Sequence, residues 1–507
     1  MIRVAVVGGG ISGLAAAHRL RTLLGPAARI TLLEQRGRLG GVLRTVDLAG
    51  VPFDVGAEAF LVRRPEMLDL LDELGLSSAL AHPTPATATI RAGGRTVRLP
   101  RGTLMGVPGR RAELAGVLSA AGSAAAAAEP SVPLHWEPGS DVALGGLLRD
   151  RFGPEVVDRI ADPLLGGVYA GRVDALGLRA TVPALAAALD AGAPSVTDAA
   201  TTGMRAGGQP AGTLAAGPRS GAPAQAGSGA ATELRAERSG TVGAGADPGP
   251  PPAVAGPVFG AVRGGYREVV AALVAASGAT VRTTTTARAL ERRGQAWRLV
   301  LGPVGSPETL DVDAVVLAVP APALRRLLDP VLPAAAAAAA RIDLASSAVV
   351  ALAYDPSEIP EPPRTSGCLV AADEPLSVKG VTHASTKWAH LGADGLIRVR
   401  ASVGRFGEES TLQVDDAELV AKVRADLREL DGIAAVPVAS HVQRWGGGLP
   451  QYGVGHTGTV AALESAVTAE PGLAVAGALL HGVGVPACVG TARAAAEQIA
   501  ARVVRAP

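Results

Sequence analysis

The sequence predicts an α/β protein whose main domain is assembled from both ends of the chain. Residues 2–7 form a short β-branched apolar run, and a glycine turn, an Ala/Leu-rich segment and a second apolar run at 30–33 follow it. This order is typical of a β-α-β unit. Further apolar runs at 313–320 and 472–480 predict buried strands. Strands separated by helices favour a parallel sheet, so we expect these distant segments to share one domain.

Length, charge and cysteine content exclude several classes of protein. A chain of 507 residues is long enough for more than one structural unit. Its 47 basic and 46 acidic residues give a net charge of +1, so no nucleic-acid partner is predicted. The two cysteines match no disulfide or metal pattern, which favours a reduced, cytoplasmic setting and no metal. Glycines interrupt the apolar stretch at 4–20, so we predict no export signal and at most peripheral membrane contact.

A glycine motif follows the first predicted strand. Gly8, Gly10 and Gly13 have GxGxxG spacing at the start of a helix, and Glu34 ends the next strand. Backbone N–H groups in such a turn can approach a pyrophosphate, and the acidic side chain can accept hydrogen bonds from a ribose. The motif therefore predicts a dinucleotide site, which NAD or FAD would fit equally. The same site is predicted to include the neighbouring residues Gly9, Ile11, Ser12 and Gln35.

Two later features narrow the choice of dinucleotide. The glycine pair Gly40-Gly41 lies just after Glu34, and the turn FDVGAE follows at 53–58. In these features the sequence resembles the FAD-containing amine-oxidase superfamily. The resemblance implies FAD, with the glycine pair near its diphosphate and the turn near the flavin ring. It also implies that a strand, a loop and a helix from about Val489 complete the site. The further cofactor-binding residues predicted are Gly56, Ala57, Glu58, Ala59, Ala287, Trp445, Ala478, Val483, Gly484 and Val485.

Several longer stretches resemble one branch of that superfamily, the bacterial porphyrinogen oxidases. They lie in family order at 56–76, 99–108, 162–181, 263–273, 385–388, 400–408, 444–456 and 482–500. The resemblance, which is to the Gram-positive type, implies oxidation of coproporphyrinogen III to coproporphyrin III with O2 in haem biosynthesis, giving H2O2. Oxidation of protoporphyrinogen IX stays open as the alternative. Glycines at 446–448 stand where monoamine oxidases carry a flavin-binding cysteine, so the FAD is expected to be non-covalent.

No constellation of catalytic side chains is apparent, so no catalytic residue is assigned. Aromatisation of a porphyrinogen requires successive two-electron oxidations, which a flavin can accept. Arginines match the substrate's carboxylates, so Arg63, Arg64 and Arg101 are substrate-binding candidates, with solvated surface charge as the alternative. Tyr169 and Tyr452 lie in Gly-rich segments, where they could stack on the macrocycle or pack a loop.

The roles of two histidines, and two other functions for the protein, are also left open by the sequence. His456 and His481 flank the predicted flavin loops and could take protons, although structural roles are favoured. Another oxidase of this fold, such as an amine oxidase or carotenoid desaturase, would turn over amines or polyenes. A non-enzymatic binding protein of this fold would purify without a flavin spectrum.

The domain organisation follows from composition. We predict an FAD-binding domain at 1–95, 258–320 and 440–507, a helical lobe at 96–190 and a mixed α+β substrate domain at 321–439. The segment 191–257 is rich in Gly, Ala, Pro, Ser and Thr, and we predict a disordered low-complexity insertion there. The sequence leaves open whether the chain forms a homodimer.

Overall fold

The structure is a computed structural model, and it describes residues 1–207 and 257–503. Its strands, in chain order, are β1 (Arg3–Val7), β2 (Arg29–Leu33), β3 (Thr45–Leu48), β4 (Val51–Asp54), β5 (Phe60–Leu61), β6 (Leu80–Ala81), β7 (Ala88–Ala92), β8 (Arg95–Arg98), β9 (Thr103–Leu104), β10 (Val107–Pro108), β11 (Phe259–Val262), β12 (Thr280–Arg282), β13 (Ala287–Arg293), β14 (Ala296–Leu301), β15 (Glu308–Val312), β16 (Ala314–Leu317), β17 (Leu344–Tyr354), β18 (Gly367–Val370), β19 (Val378–His383), β20 (Ile397–Val403), β21 (Ala439–Pro450) and β22 (Leu473–Val475).

The α-helices of the described residues are α1 (Ile11–Leu24), α2 (Pro65–Glu73), α3 (Ala120–Ala128), α4 (Leu144–Phe152), α5 (Pro154–Val156), α6 (Asp162–Tyr169), α7 (Leu178–Thr181), α8 (Pro183–Asp190), α9 (Val196–Gly207), α10 (Tyr266–Ser277), α11 (Ala321–Leu328), α12 (Pro333–Ala340), α13 (Ala384–Lys387), α14 (Asp416–Asp431), α15 (His456–Ala469) and α16 (Val485–Val503). None of these helices is both long enough and apolar enough to span a bilayer.

A five-stranded parallel sheet joins the two ends of the chain. Its order is β12-β2-β1-β16-β22, and every neighbouring pair is parallel. The predicted β-α-β unit and both predicted buried strands are confirmed within this sheet. Helices α1, α10 and α16 cover one face, and α11, α12 and α15 pack on the other. Because helices cover both faces, β16 is apolar throughout and β1 is apolar after Arg3. Helix α16 begins at Val485, four residues before the predicted start.

A seven-stranded mixed sheet forms the second layer system. Its order is β21-β17-β20-β19-β18-β7-β8, in which only β18 and β7 pair in parallel. Helix α14 covers one face with a large apolar cluster. The predicted boundaries differ here, because β7, within 1–95, and β21, of which all but the first residue lies within 440–507, both pair in this sheet. A sheet recruits strands by backbone pairing, which the order of the chain does not reveal.

The helical lobe extends further along the chain than predicted. Helix α9 occupies 196–207, at the start of the segment predicted to be a disordered insertion. Ser195 caps this helix, since its hydroxyl accepts a hydrogen bond from the Asp198 N–H at 3.0 Å. Small residues at helical spacing, Val196, Ala199 and Ala200, are fully buried. The prediction of disorder was wrong for this part. It assumed that a segment with few large apolar residues cannot form a core, but small apolar residues can also pack into one. Residues 208–256 lie outside the described residues.

Candidate functional site

The glycine turn between β1 and α1 depends on close backbone approaches. Gly8 has φ +110°, and a Cβ there would lie 2.1 Å from the carbonyl oxygen of Ala318. A Cβ on Gly13 would lie 1.8 Å from the Gly8 oxygen. Gly10 differs, because its nearest neighbour is the Gly41 Cα at 3.9 Å, so this position is open. Gly8 and Gly13 therefore hold the turn against the sheet, and Gly10 leaves its backbone accessible to a ligand.

Glu34 follows β2 and supports the same turn. Its buried carboxylate accepts hydrogen bonds from the N–H groups of Gly9 and Arg36, both at 2.8 Å. The Gly40 N–H in turn donates to the Gly9 oxygen at 2.8 Å. The acid, the glycine turn and the glycine pair therefore form one hydrogen-bonded unit. A carboxylate held in this way is oriented to accept hydroxyl hydrogen bonds from a ribose.

A long cleft runs across the carboxyl ends of the parallel strands. It encloses about 1310 Å³ of empty space, counting the part that is open to solvent. This position is where ligands bind in open α/β sheets. Ten of the predicted cofactor-binding residues line it: Gly8, Gly10, Ile11, Ser12, Glu34, Gln35, Gly41, Ala287, Trp445 and Ala478.

The other predicted cofactor-binding residues lie behind or beside the cleft and do not line it: Gly9, Gly13, Gly40, Gly56, Ala57, Glu58, Ala59, Val483, Gly484 and Val485. Gly9, Gly13 and Gly40 belong to the unit that shapes the turn. A Cβ on Gly56 would lie 1.7 Å from the Val42 oxygen and 3.1 Å from the Trp445 ring, so Gly56 supports two lining residues. Direct cofactor contact by these ten residues stays a prediction.

Two helices direct their N-terminal ends toward the cleft. Ile11 and Ser12, in the first turn of α1, line it, as does Cys488 in the first turn of α16. The partial positive charge at a helix N-terminus stabilises anions. Burial raises the pKa of the Cys488 thiol to about 11, so this cysteine is a neutral lining group at physiological pH. The cleft thus offers two positive helix ends to a negatively charged ligand.

Glu58 is engaged in an ion-pair network beside the cleft. Its carboxylate lies 3.1 Å from Lys387 Nζ and 3.2 Å from an Arg400 guanidinium nitrogen, and it also accepts a hydrogen bond from Trp388. Burial raises the pKa of Glu58, but Lys387 and Arg400 together outweigh it and bring the pKa to about 2. The carboxylate therefore joins the turn after β4 to the mixed sheet. This contact also gives Lys387 and Trp388 a role that sequence reasoning did not supply.

An aromatic group links the helical lobe to the cleft. The rings of Tyr169 and Tyr452 lie 5.4 Å apart, and His456 stacks on Tyr452 at 3.8 Å. The Tyr452 hydroxyl donates to the carbonyl oxygen of Ala478, a lining residue, and accepts from the Gly482 N–H at 2.7 Å. His456 is buried, and its Nε2 lies 3.3 Å from the Leu480 oxygen. Tyr452 and His456 therefore hold the loop that follows β22.

The arginine candidates lie away from the cleft lining. Arg63 and Arg101 are exposed, and Arg64 forms an ion pair with Glu66 at 2.7 Å. His481 is more than half exposed, and its hydrogen bond with Glu464 raises its pKa. None of the three arginines lines the cleft, and their binding of substrate stays a prediction.

Sequence reasoning missed several lining residues: Thr285, Thr286, Val319, Pro320, Arg326 and the glycines 446–448 as direct lining groups. Val319 and Pro320 follow β16, whose position in the parallel sheet placed them at the ligand edge. That signal was available in the sequence once the strand at 313–320 was assigned to the same sheet as the glycine turn. Thr285 and Thr286 precede β13, and no local pattern marks them.

The residues present fit a flavin dinucleotide. The cleft has open backbone at Gly10, two helix N-termini for a diphosphate and a buried carboxylate for a ribose. The cleft is also lined by Trp445 and glycines 446–448, and the absence of side chains at these glycines leaves room for a flat ring. The indole N–H of Trp445 donates to the Val55 oxygen at 3.0 Å, which fixes the ring at the wall of the cleft.

Comparison with known proteins agrees with this geometry. The model of the flavin containing amine oxidoreductase family matches residues 11–500. The coproporphyrinogen III oxidase of Mycobacterium tuberculosis (strain H37Rv) is 42% identical over 497 residues, which cover 97% of this chain and 96% of that protein. The coproporphyrinogen III oxidase of Mycobacterium leprae is 42% identical over 500 residues, covering 99% and 98%.

A solved structure shows the same architecture. A protein from Exiguobacterium sp. 255-15, assigned as a protoporphyrinogen oxidase, superposes with a TM-score of 0.77 at 28% identity and covers 99% of both chains. The match includes the parallel sheet and the mixed sheet, so the predicted fold class is confirmed. This chain belongs to the flavin containing amine oxidoreductase family.

Proposed function

We propose that this chain is a coproporphyrinogen III oxidase that holds FAD non-covalently and oxidises coproporphyrinogen III to coproporphyrin III with O2. The observation that carries the proposal is full-length similarity, at 42% identity, to proteins with that activity, together with a cleft suited to the flavin. When bound, FAD supplies the acceptor for successive two-electron oxidations, and O2 is reduced to H2O2.

The chain's own residues bind and orient the cofactor. Glu34 holds the glycine turn and offers its oxygens to a ribose. The first turns of α1 and α16 stabilise negative charge on a bound diphosphate or ring. Residues 446–448, which line the cleft, are glycines and offer no side chain for a covalent bond to the flavin. This supports non-covalent binding.

The test is an aerobic assay of the purified protein with coproporphyrinogen III and protoporphyrinogen IX side by side, followed by porphyrin fluorescence. Faster turnover of coproporphyrinogen III, with H2O2 formed in proportion, supports the proposal. Faster turnover of protoporphyrinogen IX would contradict the choice of substrate. Protein that purifies without a flavin absorbance spectrum, and that does not bind added FAD, would contradict the enzyme class.

We also propose that the enzyme is cytoplasmic, with at most peripheral contact with a membrane. Carbonate washing of a cell lysate checks this point. Recovery of most of the protein in the washed membrane pellet would contradict it.

A further inference from the structure

Next to Glu34, the cleft is lined by three segments of the chain. Gln35 and Arg36 follow β2, residues 285–287 lie at the start of β13, and several residues between 318 and 327 lead from β16 into α11. Because Glu34 is the predicted ribose acceptor, the base attached to that ribose should lie in this part of the cleft. The base therefore requires a partner among these segments.

The loop before β13 is fixed to the end of β2. The Thr285 N–H donates to the Glu34 backbone oxygen at 2.8 Å, and the Thr284 N–H donates to the Arg36 backbone oxygen at 3.0 Å. Thr284 has φ +50°, a left-handed conformation that is strained for a β-branched residue. Strain of this kind persists only where surrounding contacts enforce it, and it is frequent at ligand sites. The loop therefore holds residues 285–287 in a fixed position at the cleft.

Helix α11 presents one face to the same part of the cleft. Ala323, Arg326 and Leu327 all line it. Their spacing of i, i+3 and i+4 places them on one side of the helix. Arg325 is exposed and does not line the cleft, although it is the next residue along the chain. Of this pair of arginines, only Arg326 is in a position to contact a ligand in the cleft.

The Arg326 guanidinium reaches from α11 to the loop before β13. Its Nη2 donates to the backbone oxygen of Ala287, another lining residue, at 3.1 Å. Within the described ranges this is the only hydrogen bond of the side chain, and it forms no ion pair there. A guanidinium has five N–H groups and two flat faces, so most of its binding capacity is available to a ligand. The hydrogen bond also restricts the side chain in advance, which lowers the entropic cost of binding.

The surroundings of Arg326 suit a purine base. A guanidinium stacks favourably on an aromatic face. The neighbouring lining residues Pro320, Ala323 and Leu327 are apolar, as the walls of a base-binding slot should be. The diphosphate has other partners, because the first turns of α1 and α16 offer it their positive ends.

We propose that Arg326 binds the adenine of FAD through its planar guanidinium, and that this contact makes the site selective for the dinucleotide over flavin mononucleotide (FMN). This inference rests on the proposed function. It adds a residue of α11 that recognises the base to the glycine turn and Glu34, which act on the diphosphate and the ribose.

The test measures the Kd of FAD and of FMN for the deflavinated protein by the change in flavin fluorescence. Arg326→Met should raise the Kd of FAD by about five- to thirtyfold, which is the effect expected for a stacked guanidinium. The Kd of FMN should change by less than about twofold, because FMN lacks the base that Arg326 binds. Arg326→Lys should recover little of the affinity for FAD, because an ammonium group keeps the charge but has no flat face.

Arg325→Met is the matched control, because it removes an exposed arginine from the same helix without changing the lining of the cleft. It should alter neither Kd. Urea unfolding of the deflavinated proteins should give the same unfolding free energy for Arg326→Met and Arg325→Met, whereas a merely structural role of Arg326 would lower the first value alone.

Three results would overturn the inference: equal losses of affinity for FAD and FMN, full affinity for FAD in Arg326→Lys, or an unchanged Kd of FAD in Arg326→Met. The proposed function is tested separately. Failure of the unmodified, FAD-loaded protein to oxidise coproporphyrinogen III would contradict that function, and the comparison of Kd values would still report on Arg326.

Discussion

The carboxylate of Glu58 lies 3.1 Å from Nζ of Lys387 and joins the turn after β4 to the helix α13 of the mixed sheet. Arg400, on β20, reaches the second carboxylate oxygen at 3.2 Å. One buried acid therefore pairs with two cations from a different structural unit. The contact fixes the mixed sheet beside Gly56, which packs against the cleft-lining residues Val42 and Trp445.

Replacing Glu58 with Gln should lower the free energy of unfolding at pH 7 by about 3 kcal/mol, because two partly buried cations lose their counter-charge. The pKa of Glu58 is about 2 in the folded protein, against an ordinary value of 4.5. A depressed pKa stabilises the folded state above the ordinary pKa, and this contribution is lost as the pH falls from about 4.5 toward 2. Urea unfolding at several pH values, with excess FAD, measures the effect.

The stability difference between the unmodified protein and Glu58→Gln should therefore shrink as the pH falls below about 4.5. Glu418→Gln is the control, because it breaks an exposed pair with Lys422 and should cost about 0.5 kcal/mol or less. A difference that stays constant down to pH 3 would show that the charge of Glu58 does not contribute to stability.

Gly13→Ala tests the close approach of α1 to the glycine turn. The new methyl group would lie 1.8 Å from the Gly8 oxygen, a backbone atom that cannot rotate away. We expect a loss of about 3 kcal/mol in unfolding free energy, and a strong loss of FAD. Gly146→Ala is the matched control, because Gly146 lies within α4 and has no neighbour within 4 Å. It should be neutral or stabilise by up to about 1 kcal/mol. Retention of FAD by Gly13→Ala at normal affinity would contradict the geometry.

Glu34→Gln tests the predicted ribose acceptor. The amide keeps the shape of the side chain but loses the charge and one of the two acceptor oxygens that hold Gly9 and Arg36. Charge-assisted hydrogen bonds contribute about 1.5–3 kcal/mol each, so the Kd for FAD should rise about tenfold or more. Titration of the deflavinated protein with FAD measures this change. Glu308→Gln, in an exposed pair with Arg282, should leave the Kd unchanged. An unchanged Kd for Glu34→Gln would show that Glu34 does not bind FAD.

The sequence was sufficient for the parallel sheet and for the cleft-lining residues of the glycine turn and Glu34. The glycine spacing, Glu34 and the apolar runs are local patterns, and each has a direct structural consequence. The pairing of β7 and β21 in the mixed sheet was not predictable in this way, because pairing depends on contacts between distant segments. Helix α9 was not predicted, because the residues that it buries are Val and Ala within a segment of low complexity.

The predicted substrate-binding residues show the same limit. Arg63 and Arg101 were chosen because they lie near recognisable motifs, and both are exposed.

Tyr452→Phe tests the hydroxyl that holds the loop after β22. This hydroxyl donates to the Ala478 oxygen and accepts from the Gly482 N–H, so its removal leaves two backbone groups without a partner. We expect a loss of about 1–3 kcal/mol in unfolding free energy. The affinity for FAD should fall several-fold, because Ala478 lines the cleft. Thermal unfolding and FAD titration measure the two effects.

Tyr354→Phe is the matched control for Tyr452→Phe, because the buried Tyr354 hydroxyl has no hydrogen-bond partner among the described residues. Its removal relieves a desolvation cost, so this variant should be neutral or slightly stabilised, with unchanged affinity for FAD. The two substitutions remove the same atom from similarly buried rings, and only Tyr452→Phe should lower stability. Equal effects from both would show that the loop after β22 does not depend on the Tyr452 hydroxyl.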